Sequence, residues 1–314
     1  MIAVDDSKSL IIGADGQDGK VLQEILSQRS QKYILQNRSS IRDSLGNIKS
    51  ATSAEEIESI FKYQEISKVY FFAAEHSPAL ANYDSNGIAQ LHKQLDLISD
   101  ALIVVLESIR RFSPTTKIFF SSSVLIFGTP SESPQSELCP PRPNETYGLF
   151  KKISQDIVSF YRENHNIFAS SGILFPHESH YRGDNFLFKQ IVNFVNSISN
   201  GSGEKLAISD LSFTREWNCA FQVMESIIRI LDLEKPQDFV VGSGRQSSIE
   251  ETCRLAFEVK GLDYRDFVIE SGERLISRSP NLVADVRKLQ TLVGYSPDGD
   301  VASLIERTFK KLGK

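Results

Sequence analysis

Three glycines, Gly13, Gly16 and Gly19, stand between a short apolar run and a helical pattern. Glycine permits a tight turn and lets another backbone or a ligand approach the chain closely. The apolar residues of the helical pattern recur on one stripe, at Val21, Leu22, Ile25 and Leu26. A strand, this glycine turn and a helix in that order predict the first unit of a parallel sheet, with a dinucleotide pyrophosphate at the helix N-terminus.

The rest of the chain alternates between short apolar runs and longer amphipathic segments. The sequence predicts strands at residues 10–12, 33–36, 69–74, 118–121, 169–175, 206–208 and 239–241. It predicts further helices near residues 53–63, 88–112, 147–165, 184–199, 216–231 and 248–260. This alternation predicts an α/β fold. A Rossmann-type doubly wound parallel sheet is expected over residues 1–175, and a smaller mixed α/β substrate lobe over residues 176–314, with some of its segments returning to the sheet.

Composition excludes several classes of function. The net charge of -5 gives no basic field, so nucleic acid is not an expected partner. No apolar run reaches the length of a membrane span, and the first nine residues do not resemble a secretory signal. Three cysteines far apart are typical of reduced thiols in a cytoplasmic protein. The five histidines show no metal-ligand spacing, so no metal site is expected.

Ser123, Tyr147 and Lys151 form a candidate catalytic set for moving hydride to and from a carbinol. Tyr147 and Lys151 lie one turn apart on the same face of a predicted helix. A lysine ammonium beside a phenol favours the phenolate and is expected to lower its pKa. The phenolate can then take a proton from a hydroxyl whose carbon gives up hydride, while Ser123 hydrogen-bonds the same oxygen.

The end of the second strand indicates which dinucleotide is bound. An acid there would hold the ribose hydroxyls of NAD, but the chain reads Asn37-Arg38-Ser39. A guanidinium and a hydroxyl suit a 2′-phosphate. Arg38 is therefore a predicted cofactor-binding residue, and NADP is favoured over NAD.

Several segments resemble extended short-chain dehydrogenase/reductases, and the GDP-mannose 4,6-dehydratase family in particular. The glycine turn with its Gly-Gln-Asp-Gly sequence, residues 73–77, the strand before Ser123 and the Tyr-x-x-x-Lys pair are similar to the wider group. Residues 171–186, with Ile-Leu-Phe-Pro-His-Glu-Ser, and residues 214–217, Thr-Arg-Glu-Trp, are similar to the dehydratases. The resemblance covers nearly the whole chain.

The resemblance implies an enzyme that acts on a nucleotide diphosphate sugar, GDP-linked by expectation. It adds Gln17, Asp18, Ala73, Ala74 and His177 to the predicted cofactor-binding residues. It implies that the substrate is bound by Asn185, Arg215 and Arg278. It also implies a homodimer or homotetramer that pairs through two long helices, near residues 88–112 and 144–165.

Position 125 departs from the dehydratase pattern. The family has a Glu there that removes the C5 proton during water elimination, and this chain has Leu125, preceded by Val124. The redox set is retained, and the elimination step is in doubt. A 4-keto-sugar reductase, an epimerase that shuttles hydride, and a non-catalytic nucleotide-sugar-binding homologue stay open as alternatives. An epimerase acting at C5 would need a base from elsewhere in the chain.

Overall fold

The computed structural model describes residues 7–36, 54–74, 95, 99–198, 204–272 and 282–313. Its strands are β1 (Lys8–Ile12), β2 (Tyr33–Gln36), β3 (Ile66–Phe71), β4 (Lys117–Ser123), β5 (Ala169–Leu174), β6 (His177–Glu178), β7 (Leu206–Ile208), β8 (Thr214–Arg215), β9 (Asn218–Cys219), β10 (Phe239–Val241), β11 (Ser247–Ser248) and β12 (Val268–Glu270). Its helices are α1 (Gln17–Gln28), α2 (Ala54–Tyr63), α3 (Ala101–Phe112), α4 (Thr146–His165), α5 (Leu187–Ser197), α6 (Ala220–Asp232), α7 (Ile249–Glu258), α8 (Arg287–Val293) and α9 (Val301–Leu312). Short 3₁₀ turns occur at Val124–Phe127 and Tyr264–Asp266.

Six of these strands form one parallel sheet in the order β10-β5-β4-β3-β1-β2. The strand order reverses between β1 and β3. In doubly wound sheets the carboxyl ends of the strands at such a reversal form the crevice that binds ligands. The predicted Rossmann-type α/β fold is therefore confirmed.

Both faces of the sheet are covered, as a parallel sheet requires. Alternate residues of β1 face opposite sides: Leu10 and Ile12 join one core, and Ile11 joins the other. Helices α2, α3 and α4 cover the first face, and α1 and α6 cover the second. The stripe predicted for α1 is buried as expected, at Val21, Leu22, Ile25 and Leu26.

A further core, separate from those on the two faces of the sheet, lies in the C-terminal part of the chain, where α5, α7 and α9 pack around Trp217. Three two-stranded pairs, β11-β8, β12-β7 and β6-β9, supply the remaining sheet structure there. Strand β10 leaves this region and pairs with β5, so it forms one edge of the main sheet. None of the helices in the described part of the chain is long and apolar enough to cross a bilayer.

Most predicted elements are present, but the sequence did not predict the short strands β6, β8, β9, β11 and β12, and further differences occur elsewhere. Strand β3 ends at Phe71 rather than at Ala74, because the chain leaves the sheet there to pass beside the glycine turn. The helix expected over residues 88–112 is described at Leu95 and continuously only from residue 99, and its remainder lies outside the described residues. Helices α8 and α9 were not expected from the sequence.

Candidate active site

The glycine turn occupies the crevice at the reversal of strand order. Gly13 has a positive φ of 86°, and a Cβ built on it would lie 2.6 Å from the backbone nitrogen of Ala73, at the end of β3. A Cβ on Gly19 would lie 2.6 Å from Cα of Ala14. Gly13 and Gly19 thus allow the close approach of chain to chain that the turn requires. Ala73 and Ala74 are partly buried beside it.

Gly16 differs from Gly13 and Gly19, because in the described structure a Cβ built on it would not collide with the neighbouring chain. It is the N-cap of α1, and within the described residues a Cβ there would meet only the Gly13 carbonyl oxygen, at 3.4 Å. The first amides of α1 are thus approachable at the positive end of the helix dipole. This arrangement fits the pyrophosphate of a dinucleotide.

The first turn of α1 also binds the segment that follows β5. The Gln17 side chain donates to the His177 carbonyl oxygen at 3.0 Å and accepts from the Ser179 hydroxyl at 3.0 Å. The Asp18 carboxylate lies 2.9 Å from Nε2 of His177. Nδ1 of the same ring lies 2.8 Å from the Phe175 carbonyl oxygen.

These contacts place an acceptor at each ring nitrogen of His177, so the imidazolium form satisfies both. Burial acts to lower the pKa of His177, but the Asp18 carboxylate outweighs it and the pKa is raised. Correspondingly, the pKa of Asp18 is lowered by His177 against the opposing effect of burial. The pair is therefore an ion pair between the glycine turn and β6. The predicted contact of His177 with the cofactor stays a prediction.

The catalytic helix α4 begins against the 3₁₀ turn that follows β4. A Cβ on Gly148 would lie 2.4 Å from the Leu125 carbonyl oxygen, so only glycine allows this contact. Ser123 is the N-cap of the 3₁₀ turn, and its hydroxyl accepts from the Leu125 amide at 3.3 Å. That bond uses the oxygen as an acceptor, so the hydroxyl hydrogen can be donated to a substrate oxygen.

Lys151 is almost completely buried, at 1% exposure, and its ammonium donates to the Ser121 carbonyl oxygen at 2.6 Å. It lies 5.6 Å from the centre of the Tyr147 ring. Burial lowers the pKa of Lys151 to about 7, with the Asp18 carboxylate acting in the opposite direction. Tyr147 and Lys151 are thus on one face of the helix, as the sequence predicted, and Asp18 in the first turn of α1 acts electrostatically on both.

The expected effect of Lys151 on Tyr147 is not found. The pKa of Tyr147 is raised, first by burial and then by the carboxylates of Asp18 and Glu145, with Arg182 acting to lower it. The prediction of a lowered pKa was wrong for the protein chain alone. Helical spacing places the two side chains on one face, but it carries no information about how deeply that face is buried.

A cluster of charged side chains lies between β6 and β8. Glu178 is 3% exposed, and its carboxylate lies 3.0 Å from Nε of Arg182, with Arg215 also acting on it electrostatically. Burial raises the pKa of Glu178 and lowers the pKa of Arg215. Nε of Arg182 and Oε2 of Glu178 thus face each other as an ion pair, whereas Nε of Arg215 is buried without a hydrogen-bond partner in the described structure. An unsatisfied donor on a buried cation suits an anionic ligand.

Other predicted substrate residues are placed less centrally or are not described. Asn185 is exposed, next to Phe186, whose ring lies 3.6 Å from the Arg182 guanidinium. Arg38 and Arg278 lie outside the described residues. The geometry therefore connects Asn185 and Arg215 with one region and gives no position for the two other arginines.

Two site residues were missed by the sequence analysis, Arg182 and Glu145. Arg182 is held between the Glu178 carboxylate and the Phe186 ring. Glu145 is the N-cap of α4, two residues before Tyr147. A signal for Glu145 was present, since an acid stands at a helix start, where a carboxylate can cap the helix. Arg182 lies within residues 171–186, whose similarity to the dehydratases was the signal that could have found it.

The fold and the Ser-Tyr-Lys arrangement beside a dinucleotide turn define an extended short-chain dehydrogenase/reductase of the epimerase/dehydratase type. The family model of GDP-mannose 4,6 dehydratase matches residues 10–308. The chain belongs to that family, and it is an enzyme of the nucleotide-sugar-modifying type. The resemblance noted in the sequence is confirmed.

Individual relatives agree with this assignment. The chain is 30% identical to GDP-mannose 4,6 dehydratase 2 of Caenorhabditis elegans over 269 residues, covering 79% of this chain and 69% of the relative. It is 28% identical to GDP-mannose 4,6 dehydratase 2 of Arabidopsis thaliana over 323 residues, covering 95% and 84% respectively. Among solved structures, UDP-glucose 4-epimerase of Brucella ovis in complex with NAD superposes with a TM-score of 0.79 at 16% identity, covering 98% of each chain. That likeness shows the shared fold.

Proposed function

We propose that this protein binds NADP and moves hydride at C4 of a GDP-linked sugar. The observation that carries the proposal is the position of α4. Asp18, in the first turn of α1, acts electrostatically on both Tyr147 and Lys151, so the helix N-terminus suited to a pyrophosphate and the Tyr-Lys pair face one site. The family assignment supports a nucleotide sugar as the substrate.

Tyr147, Ser123 and Lys151 have different roles at the reacting carbon. When bound, the nicotinamide supplies the hydride acceptor or donor. Tyr147 takes the proton from the C4 hydroxyl, and Ser123 holds the same oxygen by donating its hydroxyl hydrogen. The Lys151 ammonium, fixed by the Ser121 carbonyl oxygen, supports the negative charge that develops on the phenol oxygen. Gly16 and the amides that follow it would hold the pyrophosphate.

The diphosphate of the substrate is assigned to Arg215, with Arg182 beside it. Nε of Arg215 has no hydrogen-bond partner in the described structure, and the buried setting strengthens the attraction of both cations for phosphate oxygens. Arg278 and Asn185 are proposed to complete this site by resemblance. The preference for NADP rests on Arg38 and on the absence of an acid after the second strand.

The elimination step is proposed to be slow. Leu125 lies in the 3₁₀ turn beside Ser123 and packs against an apolar core, and Val124 is buried in the same core. Neither side chain can carry a proton, and loss of a catalytic acid or base at this position costs about 100- to 10,000-fold in rate. This observation favours C4 hydride transfer, as in a 4-keto-sugar reductase or an epimerase, over full dehydration.

The test is to incubate the protein with NADP and GDP-mannose and to follow both NADPH and the 4-keto-6-deoxy product by NMR and mass spectrometry. NADPH formation with little dehydrated product is expected. Leu125→Glu should increase dehydration, and Leu292→Glu, at an exposed position, is the matched control. Dehydration by the wild-type protein at about one turnover per second or faster would contradict the proposal.

The pairing of two copies is proposed to use α3 and α4. Four apolar side chains on these helices are exposed by 37–54%: Ile103, Leu149, Ile153 and Phe160. On α4 their spacing puts them on one face, where a second copy could cover them. Light scattering should show a dimer or tetramer, and Ile153→Glu with Phe160→Glu should give a monomer.

The three cysteines are free and buried, which supports the proposal of a cytoplasmic protein.

A further inference from the structure

The site lacks a carboxylate at position 125, but it has another beside the catalytic tyrosine. Glu145 is the residue before the first turn of α4, and its backbone carbonyl accepts from the Leu149 amide at 3.0 Å. A polar side chain at this position ordinarily caps the helix by accepting from one of the first amides. The Glu145 side chain makes no such bond. Its carboxylate is therefore free of the usual structural duty of the position.

One oxygen of this carboxylate is removed from solvent, although the side chain as a whole is only partly buried. Oε1 is buried and has no hydrogen-bond partner in the described structure. Burial raises the pKa of Glu145, which brings it closer to neutral pH and makes the carboxylate a stronger base. A buried, unsatisfied carboxyl oxygen is costly to the fold, so it points to a role in binding or chemistry.

Glu178 is the competing acid, and the contacts decide between the two. Glu178 faces Arg182 and Arg215, and these two cations interact electrostatically with its carboxylate. Glu145 acts on Tyr147, since its carboxylate contributes to raising the pKa of that phenol. The first turn of α4 also lies against the Leu125 carbonyl oxygen through Gly148. Glu145, the N-cap of this helix, therefore lies at the end of α4 that adjoins the 3₁₀ turn of position 125.

We propose that Glu145 is a catalytic acid–base residue that moves the proton at C5 of the sugar. The inference rests on the proposed function, because C5 becomes acidic only after C4 is oxidised to a ketone. The C5–H bond breaks, its electron pair forms the C4–C5 double bond of an enolate, and the proton goes to the Glu145 carboxylate. Return of a proton from Glu145 to C5 restores the ketone. The step consumes no oxidant or reductant and leaves the C6 hydroxyl in place.

This role fits the rest of the site. Val124 and Leu125 offer no second acid to protonate a departing C6 hydroxyl, so exchange or epimerisation at C5 outcompetes loss of water. Return of hydride to C4 then releases a sugar that carries a solvent-derived proton at C5. With Leu at position 125 and Glu at position 145, the expected reaction is proton exchange at C5 rather than elimination of water.

The test uses the full chain with GDP-mannose and NADP in D2O, with C5 deuterium followed by NMR and mass spectrometry and NADPH followed by absorbance. Wild type is expected to place deuterium at C5. Glu145→Gln should lower that incorporation at least about 100-fold and leave NADPH formation within a few fold. Glu163→Gln makes the same change at an exposed position of α4 and should behave as wild type.

The possible failures are distinguishable. NADPH formation without deuterium at C5 in wild type, or unchanged incorporation in Glu145→Gln, would overturn the role of Glu145 and leave the proposed function standing. Absence of both NADPH and C5 deuterium in wild type would overturn both. If Glu145→Gln melts at a much lower temperature than wild type, Glu145→Asp replaces it. That variant keeps the charge and retracts it, so it should slow C5 exchange and alter its pH profile while NADPH formation persists.

Discussion

The charged side chains at the two ends of the segment after β5 differ in whether they have partners within the protein. At one end, Asp18 and His177 satisfy each other, and the second ring nitrogen has the Phe175 carbonyl oxygen. At the other end, Glu178 is ion-paired with Arg182, whereas Nε of the buried Arg215 has no hydrogen-bond partner in the described structure. Satisfied charges hold elements in place, whereas unsatisfied ones retain free energy of interaction for a ligand. The comparison separates residues that build the site from residues that use it.

The largest expected effect comes from a residue that uses the site. Tyr147→Phe removes only the phenol oxygen, so turnover should fall by at least about 100- to 10,000-fold with the melting temperature nearly unchanged. NADPH formation with GDP-mannose and a thermal melt measure the two effects. Tyr161→Phe is the matched control on the same helix, because Tyr161 bonds Glu107 away from the site. Wild-type activity in Tyr147→Phe would remove the phenol from the mechanism.

The next largest effect is expected at Arg215, whose Nε has no hydrogen-bond partner in the described structure. Arg215→Ala should weaken GDP binding by about 1.5–3 kcal/mol, since it removes a charged hydrogen-bond donor, and should not destabilise the protein without ligand. Calorimetry with GDP and a thermal melt test this. Arg254→Ala, which removes an exposed arginine paired with Glu251 and Glu258, should leave GDP binding unchanged. A large loss of stability in Arg215→Ala would put this arginine among the residues that build the site.

Asp18→Asn tests the satisfied pair. It should lower the free energy of unfolding by about 1–3 kcal/mol, less than for a fully buried pair because both side chains are partly accessible. The lowered pKa of Asp18 means that its contribution is lost as pH falls, and the raised pKa of His177 means that its contribution is lost as pH rises. The effect should thus be largest between the ordinary values of 3.8 and 6.5. Urea denaturation across pH measures it, and Asp156→Asn, in an exposed pair with Lys152, is the control.

The smallest change per pH unit is a slope and concerns Lys151, whose pKa of about 7 lies below its ordinary 10.5. Between these values the unfolded chain binds more protons, so the stability of the protein without cofactor should rise with pH, by at most about 1.4 kcal/mol per pH unit. Lys151→Met should flatten this slope, and the adjacent Lys152→Met should keep it. An unchanged slope in Lys151→Met would show that the ammonium is not desolvated.

What the sequence could predict follows from how local each signal is. The α1 stripe and the strand before Ser123 were found because periodicity is written into neighbouring residues. The unsatisfied Nε of Arg215 and the raised pKa of Tyr147 depend on burial by segments far away in the chain, which no spacing records. Position 239–241 was recognised as a strand, but its pairing with β5 is equally non-local.

That pairing limits how the chain can be divided. Strand β10 covers the outer edge of β5, and α6 covers the sheet face that includes Phe119 and Leu174. A fragment ending at residue 175 would expose the hydrogen-bonding edge of a buried apolar strand, which is a template for aggregation. The lobe is therefore no transplantable module. Substrate preference in this protein has to be re-engineered side chain by side chain, because exchanging the C-terminal portion would remove part of the sheet that binds the dinucleotide.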